Sequence, residues 1–201
     1  MSHSLGARDR ELLSNHSLIV GIDEVGRGSL AGPVVVGAVG FSAIPEHPDI
    51  KDSKQLSPRQ RERLSDWVRE HAESWLAIEV WPELIDRLNI LEATRLAMST
   101  AGTELAKAGA VVVTDAVAVS IPGVACHSPR RADSSFFCVA SASIVAKTYR
   151  DELMTALALR HDRWEWQNNK GYGTQKHRIA LDRFGRSFLH RRSFAWSPVL
   201  P

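Results

Sequence analysis

Four acidic residues stand where a structural role explains them poorly. Asp23 and Glu24 are adjacent and follow the apolar run Leu18-Ile19-Val20. Asp115 ends the stretch Ala110-Val111-Val112-Val113-Thr114. Asp133 follows Arg130-Arg131-Ala132 and precedes Ser134-Ser135-Phe136-Phe137. Taken singly, each reads as a hairpin tip, a helix cap or a loop acid. Taken together they are a carboxylate set drawn from well-separated segments, with no His or Cys partner. Hard oxygen donors of this kind suit Mg2+ or Mn2+ rather than zinc. Gathered acids raise one another's pKa unless a cation neutralises them. Two ions about 4 Å apart would do so, and would also clamp the attacking and leaving oxygens of a phosphodiester.

Several elements must position these acids. Residues 17–41 read as two or three strands with Gly26, Gly28 and Gly32 at the bends. Neighbouring residues of a regular strand point to opposite faces, so Asp23 and Glu24 converge only if their strand kinks or ends there. Residues 110–115 read as a central strand, parallel and covered on both faces; ligand sites collect at the C-terminal ends of such strands. Ser57 and Pro58 signal a helix start. Leu64, Trp67, Val68, Trp75 and Leu76 then share one helical face, placing both tryptophans in the core. A short strand over 77–80 and a helix after Asn89 follow, then a long small-residue helix over 140–159. The last is a basic helix over 175–184. Residues 1–16 read as a mobile lead-in to a single domain spanning 1–201.

Other chemistries fit less well. Gly26-x-Gly28-x-x-x-Gly32 is one residue too long for a dinucleotide fingerprint, and the acids before it would repel a pyrophosphate. No phosphate-binding G-x-x-x-x-G-K-[ST] and no serine or cysteine nucleophile motif is present. Cys126 and Cys138 form no metal or disulfide pattern, which favours a reducing, cytoplasmic setting. No stretch is long and apolar enough to cross a bilayer. The net charge of +2 is small, but residues 160–192 hold nine Lys/Arg against three acids, with His161, His177 and His190 besides. That basic third suits a polyanion lying beside the carboxylates.

With these residues in view, the chain resembles the ribonuclease HII family. The matching pieces run in order along the chain. They are Gly21-Ile22-Asp23-Glu24-Val25-Gly26-Arg27-Gly28 with Ala31-Gly32-Pro33, then Asp52-Ser53-Lys54-Gln55-Leu56 and Asn89-Ile90-Leu91. Asp115, Ala142-Ser143-Ile144-Val145-Ala146-Lys147 with Arg150-Asp151, Gly171-Tyr172-Gly173-Thr174 and His190-Arg191-Arg192-Ser193-Phe194 complete them. The resemblance implies an α/β, RNase H-like fold: a mixed central sheet flanked by helices, with a basic C-terminal helical segment over about 160–201. It implies an endonuclease using two Mn2+ or Mg2+ ions, acting on RNA–DNA hybrids and on single ribonucleotides embedded in duplex DNA. Incision would fall 5′ of the ribonucleotide and leave a 3′-hydroxyl and a 5′-phosphate, as ribonucleotide removal during replication and repair requires. A cytoplasmic monomer with no membrane partner is expected.

Residue by residue, the family's four acids fall on Asp23, Glu24, Asp115 and Asp133. Its Gly-Arg-Gly element falls on Gly26, Arg27 and Gly28, and its junction-sensing tyrosine on Tyr172. Lys54, Lys147 and the basic residues after 160 are expected to hold phosphates; Arg150 is expected to pair with Asp151. Ala116 and Arg131-Ala132 depart from the family's glycines beside two of the acids. A nucleic-acid-binding module without catalysis, with these acids serving as caps and ion-pair partners, is the rival reading. A ribonuclease HIII is disfavoured because its extra N-terminal domain has no room here, and a resolvase because it lacks the Gly-Arg-Gly and Gly-Tyr-Gly pair.

Overall fold

The computed structural model describes residues 5–46, 50, 53 and 56–197. A five-stranded mixed sheet runs in the order β3-β2-β1-β4-β5. β1 (Leu18–Val25) pairs antiparallel with β2 (Val34–Phe41), and β2 with β3 (Ser74–Val80). On its other side β1 pairs parallel with β4 (Ala110–Thr114), and β4 with the short β5 (Ala125–His127). β1, β2 and β4 are apolar runs, the pattern of strands covered on both faces.

α5 (Phe137–Ala158) covers one face, with α2 (Pro58–His71) packed against it. α3 (Pro82–Leu88) and α4 (Ile90–Leu105) cover the other. α6 (Trp166–Asn169) and α7 (Gln175–Phe184) form the C-terminal segment over a third, Trp-rich cluster. The start of α2 follows its sequence signal: Ser57 and Gln60 form a reciprocal capping box ahead of Pro58. Asn89 caps α4 by accepting from the Leu91 and Glu92 amides.

α5 lies unusually close to the sheet. A Cβ at Gly21 would come within 2.2 Å of the Cys138 backbone, and one at Gly37 within 2.7 Å of the Ala142 carbonyl oxygen. Glycine on the strands and Ala142 and Ala146 on the helix leave room for this contact.

Three expectations fail. Residues 7–13 are not a lead-in but a helix, α1 (Ala7–Leu13). Its Asp9 is fully buried and accepts from the Phe137 and Cys138 amides at 2.9 Å each. A carboxylate there satisfies two orphan donors of α5 and complements its positive end. Trp75 is not core. α2 stops at His71, and residues 74–80 take a period of two against β2, turning Leu76, Ile78 and Val80 inward. Trp75 is left 39% exposed beneath the Arg69 guanidinium. Arg150 does not pair with Asp151: it is buried and donates elsewhere, while Lys147 and Arg61 take Asp151.

Candidate active site

β4 stops early, and its stop creates the site. Its pairing with β1 ends at Ile22↔Thr114, whereas β1 continues beside β2 to Val25↔Val35. Asp23, Glu24 and Val25 therefore overhang on the β4 side. β1 ends at Val25, one residue past the acid pair, and the chain turns at Gly26 (φ 89°), where alternation required the strand to end. The missing neighbour gives carboxylates from either face a common space, and Asp115 follows the last residue of β4. α5 carries Ser143 and Lys147 across the same end. The resulting cleft, about 190 Å³, is lined by Asp23, Glu24, Asp115, Ser53, Ser143, Lys147 and Tyr172, with Val25.

Asp133 is not among the side chains that line this cleft. It is buried on the 3-10 turn Ala132–Ser134, and the neighbouring Ala132 amide donates to Asp115 Oδ1 at 3.0 Å. Among the described residues no three His, Cys, Asp or Glu side chains are already grouped as an ion cage. Lys54 lies outside the described residues. Of the two residues standing where the family has glycine, Ala116 takes a left-handed conformation and Ala132 does not; the second left-handed residue is Arg131. Ala116 at φ 56° and Arg131 at φ 58° are strained, because each carries a Cβ.

The acids are held in an unfavourable setting. Burial, followed by repulsion from Glu24, raises the Asp23 carboxyl well above the usual range; the hydrogen bond to Ser143 offsets part of this. Burial also raises Glu24, against the pull of Arg27 at 3.1 Å, and Asp115 adds repulsion. Glu24 Oε2 is buried and has no hydrogen-bond partner among the described residues. A buried carboxylate oxygen left unpaired is costly, and a hard cation is the partner that this donor set suits.

Beside the acids, Gly26 to Ser29 form a β-turn closed by the Ser29 amide donating to Gly26 O at 3.2 Å. Two buried arginines hold this loop. Arg191 donates to the carbonyl oxygens of Gly26, Arg27 and Gly32 at 2.7–3.1 Å. Arg150 donates to Pro33 O, Lys170 O, Ala31 O and Ser29 Oγ at 2.9–3.3 Å. Sequence reasoning placed Arg191 among the phosphate contacts. Burial instead spends it on backbone, and pushes its guanidinium down to about 9 with help from the nearby Arg150 charge. Gly26 is at φ 89°, and a Cβ there would meet the Arg150 guanidinium at 2.2 Å. Gly28 differs: a Cβ there would meet nothing within 4 Å. The fold has no steric need of a glycine at 28.

Tyr172 joins the same loop, bridging to Ser29, with its ring 5.3 Å from the Arg150 guanidinium and 5.8 Å from Lys147 Nζ. Lys147 donates to Asp151 at 2.7 Å while facing the cleft. Ser53 and Ser143 share a 2.9 Å hydrogen bond on the cleft wall. Of the nine basic residues between 160 and 192, six are exposed: Arg160, Arg163, Lys176, Arg183, Arg186 and Arg192. Ser143, Arg150 and Arg191 sit in motifs that the sequence made visible, but nothing in their spacing assigned them these partners.

A mixed sheet with acids over the end of its central parallel pair, flanked by helices and followed by a basic helical segment, is the RNase H-like nuclease architecture. Solved structures agree. Ribonuclease H2 from Pyrococcus horikoshii OT3 superposes with TM-score 0.71 at 23% identity, covering 88% of this chain and 93% of that one. The RNase HII of the Archaeoglobus fulgidus PCNA:RNase HII complex superposes at 0.72 and 25% identity, covering 87% and 92%. Bst-RNase HIII, solved in complex with Mn2+, gives 0.67 at 21%, covering 92% and 69%.

Sequence comparison is narrower. The ribonuclease HII profile matches residues 20–197. The ribonuclease HII of Chlorobaculum parvum is 41% identical over 191 residues, 91% of this chain and 92% of that protein. That of Acholeplasma laidlawii is 41% identical over 180 residues, covering 90% and 88%. The chain belongs to the ribonuclease HII family, and is a nuclease with ribonuclease H activity, the activity of a divalent-metal-dependent family.

Two substitutions probe this geometry. Asp23 is raised, so between its unfolded pKa and its folded pKa the unfolded chain has lost a proton that the folded chain keeps. Stability without metal therefore falls as pH rises through that window. Asp23→Asn is expected to raise Tm in EDTA at pH 7.5, by about 2–4 °C per kcal/mol relieved for a chain of this size, while abolishing cutting; calorimetry checks the first and a nuclease assay the second. Gly28→Ala is expected to leave Tm within about 1 °C, a surface-like effect, yet lower kcat/KM at least tenfold.

Proposed function

We propose that this ribonuclease HII cuts the RNA strand of RNA–DNA hybrids and incises duplex DNA 5′ of single embedded ribonucleotides, leaving a 3′-hydroxyl and a 5′-phosphate. The observation that carries this reading is Gly28. It is a glycine that the fold does not require, on an exposed turn beside three cleft carboxylates, so the missing side chain makes room for a ligand. A backbone that approaches a sugar closely can meet a 2′-hydroxyl, which is both donor and acceptor and marks RNA.

Asp23, Glu24 and Asp115 would hold two Mn2+ or Mg2+ ions, with Asp133 as the remaining acid. The unpartnered Glu24 oxygen and the raised carboxyls fit a cation there. Bound there, such a pair would supply water activation and stabilisation of the leaving 3′-oxygen. The chain's own groups do the rest. Amides of the Gly26–Gly28 turn meet the ribonucleotide. Tyr172 lays its ring on the neighbouring sugar. Lys147, Lys54 and the exposed basic residues after 160 hold phosphates and set register without reading sequence. The protein works as a cytoplasmic monomer in ribonucleotide removal during replication and repair.

A duplex carrying one ribonucleotide, incubated with Mg2+ or Mn2+, tests this. A single cut 5′ of the ribonucleotide is expected, none with Asp115→Asn, and a larger loss on this duplex than on a long hybrid with Tyr172→Ala. A cut elsewhere, retained cutting by Asp115→Asn, or equal losses with Tyr172→Ala would contradict it.

A further inference from the structure

We infer that Arg191 is a positioning residue that aims the two central amides of the Gly26–Ser29 turn at the ribonucleotide, with Arg150 fixing the same turn from the other side; this rests on the proposed function above. The peptide bond is planar and trans, so each carbonyl points opposite to the amide that follows it. Arg191 draws the Gly26 and Arg27 carbonyls inward, at 2.7 and 2.8 Å. The N–H groups of Arg27 and Gly28 must then point away from Arg191, beside the open space at Gly28, where a Cβ would meet nothing within 4 Å. Among the described residues neither N–H donates to a backbone acceptor. Successive amides presented in this way form an anion- and oxygen-binding concavity.

The arginines suit this task and are not otherwise explained. Both are buried, and neither has a carboxylate partner within ion-pair distance among the described residues. A charged side chain buried without an acid is costly unless its donors are fully used. Here the donors are used on the loop and its neighbours. Arg191 ties Gly26 and Arg27 to Gly32, and Arg150 ties Ser29, Ala31 and Pro33 to Lys170, two residues from Tyr172. Backbone pairing completes the frame: Leu30 and Ala31 donate to Gly171 O, and Arg191 N donates to Leu30 O. One rigid unit thus carries the Gly-Arg-Gly amides and Tyr172. A lysine at 191 keeps the charge but cannot span three carbonyls with a planar fork.

Arg191→Lys is the test, read on three quantities. These are kcat/KM on the one-ribonucleotide duplex, Kd for the all-DNA duplex of the same sequence, and the Tm gain on adding Mn2+. A fall of at least tenfold in the first is expected, with the second within twofold and the third retained. Leu64→Ala, a core truncation far from the loop, serves as the stability-matched control and is expected to keep kcat/KM where it is folded. Unchanged cleavage by Arg191→Lys overturns the inference. So does a loss that equally weakens all-DNA binding, or one matched by Leu64→Ala. Should Arg191→Lys not fold, Arg150→Lys is measured on the same three quantities, and the same results support or overturn the inference. Failure of the unaltered protein to cut this duplex removes the proposed function and this inference together. Cutting by the unaltered protein with an unimpaired arginine variant removes the positioning role alone.

Discussion

The close seating of α5 on the sheet is the constraint on which the site depends. At Gly21 and Gly37 the helix approaches β1 and β2 so closely that a single methyl group would meet its backbone. That approach sets Ser143 against Asp23 and brings Lys147 to the cleft mouth. Further along, the same helix delivers Arg150 to the turn after β1. Its first turn is fixed in the opposite direction by Asp9, whose carboxylate meets the amides of Phe137 and Cys138. One element, anchored at its N-terminus and pressed on two glycines, thereby positions both the acidic wall and the loop that faces it.

Function here is set against stability. Asp23 is buried and Glu24 half-buried, they repel each other and Asp115, and one Glu24 oxygen has no hydrogen-bond partner among the described residues. No fold needs such an arrangement for itself. The proposed divalent cation would turn each of these liabilities into a contact, because clustered carboxylates at low dielectric bind hard cations for the same reason that they repel one another. The left-handed Ala116 and Arg131 add backbone strain beside Asp115 and Asp133, and strain of this kind gathers at functional sites.

The sequence made much of this legible, and unevenly. Alternation, glycine placement and apolar runs located β1, β2 and β4, and Ser57-Pro58 and Asn89 marked two helix starts because capping is local chemistry. Trp75 misled because Leu64, Trp67, Val68 and Trp75 continue a helical period past a helix that ends at His71; pairing with β2 won. α1 was missed because its one decisive residue, Asp9, caps a helix 128 residues away. The acids were recognisable by type, but their meeting depends on β4 stopping at Thr114, a register fact that no local pattern holds. Arg150 read as the partner of Asp151 and Arg191 as a phosphate contact, because Arg usually meets an anion; only the fold shows both guanidinium groups turned onto backbone carbonyls.

The central claim is that the overhang of β1 beyond β4 gathers Asp23, Glu24 and Asp115 into a divalent-cation site. Anomalous diffraction at the manganese edge, from crystals grown with Mn2+, tests it most directly. Anomalous peaks bounded by these three carboxylates, with Glu24 Oε2 among the ligands, are the expected result. A cleft without peaks at saturating Mn2+, and with Glu24 bound only by Arg27, would contradict it.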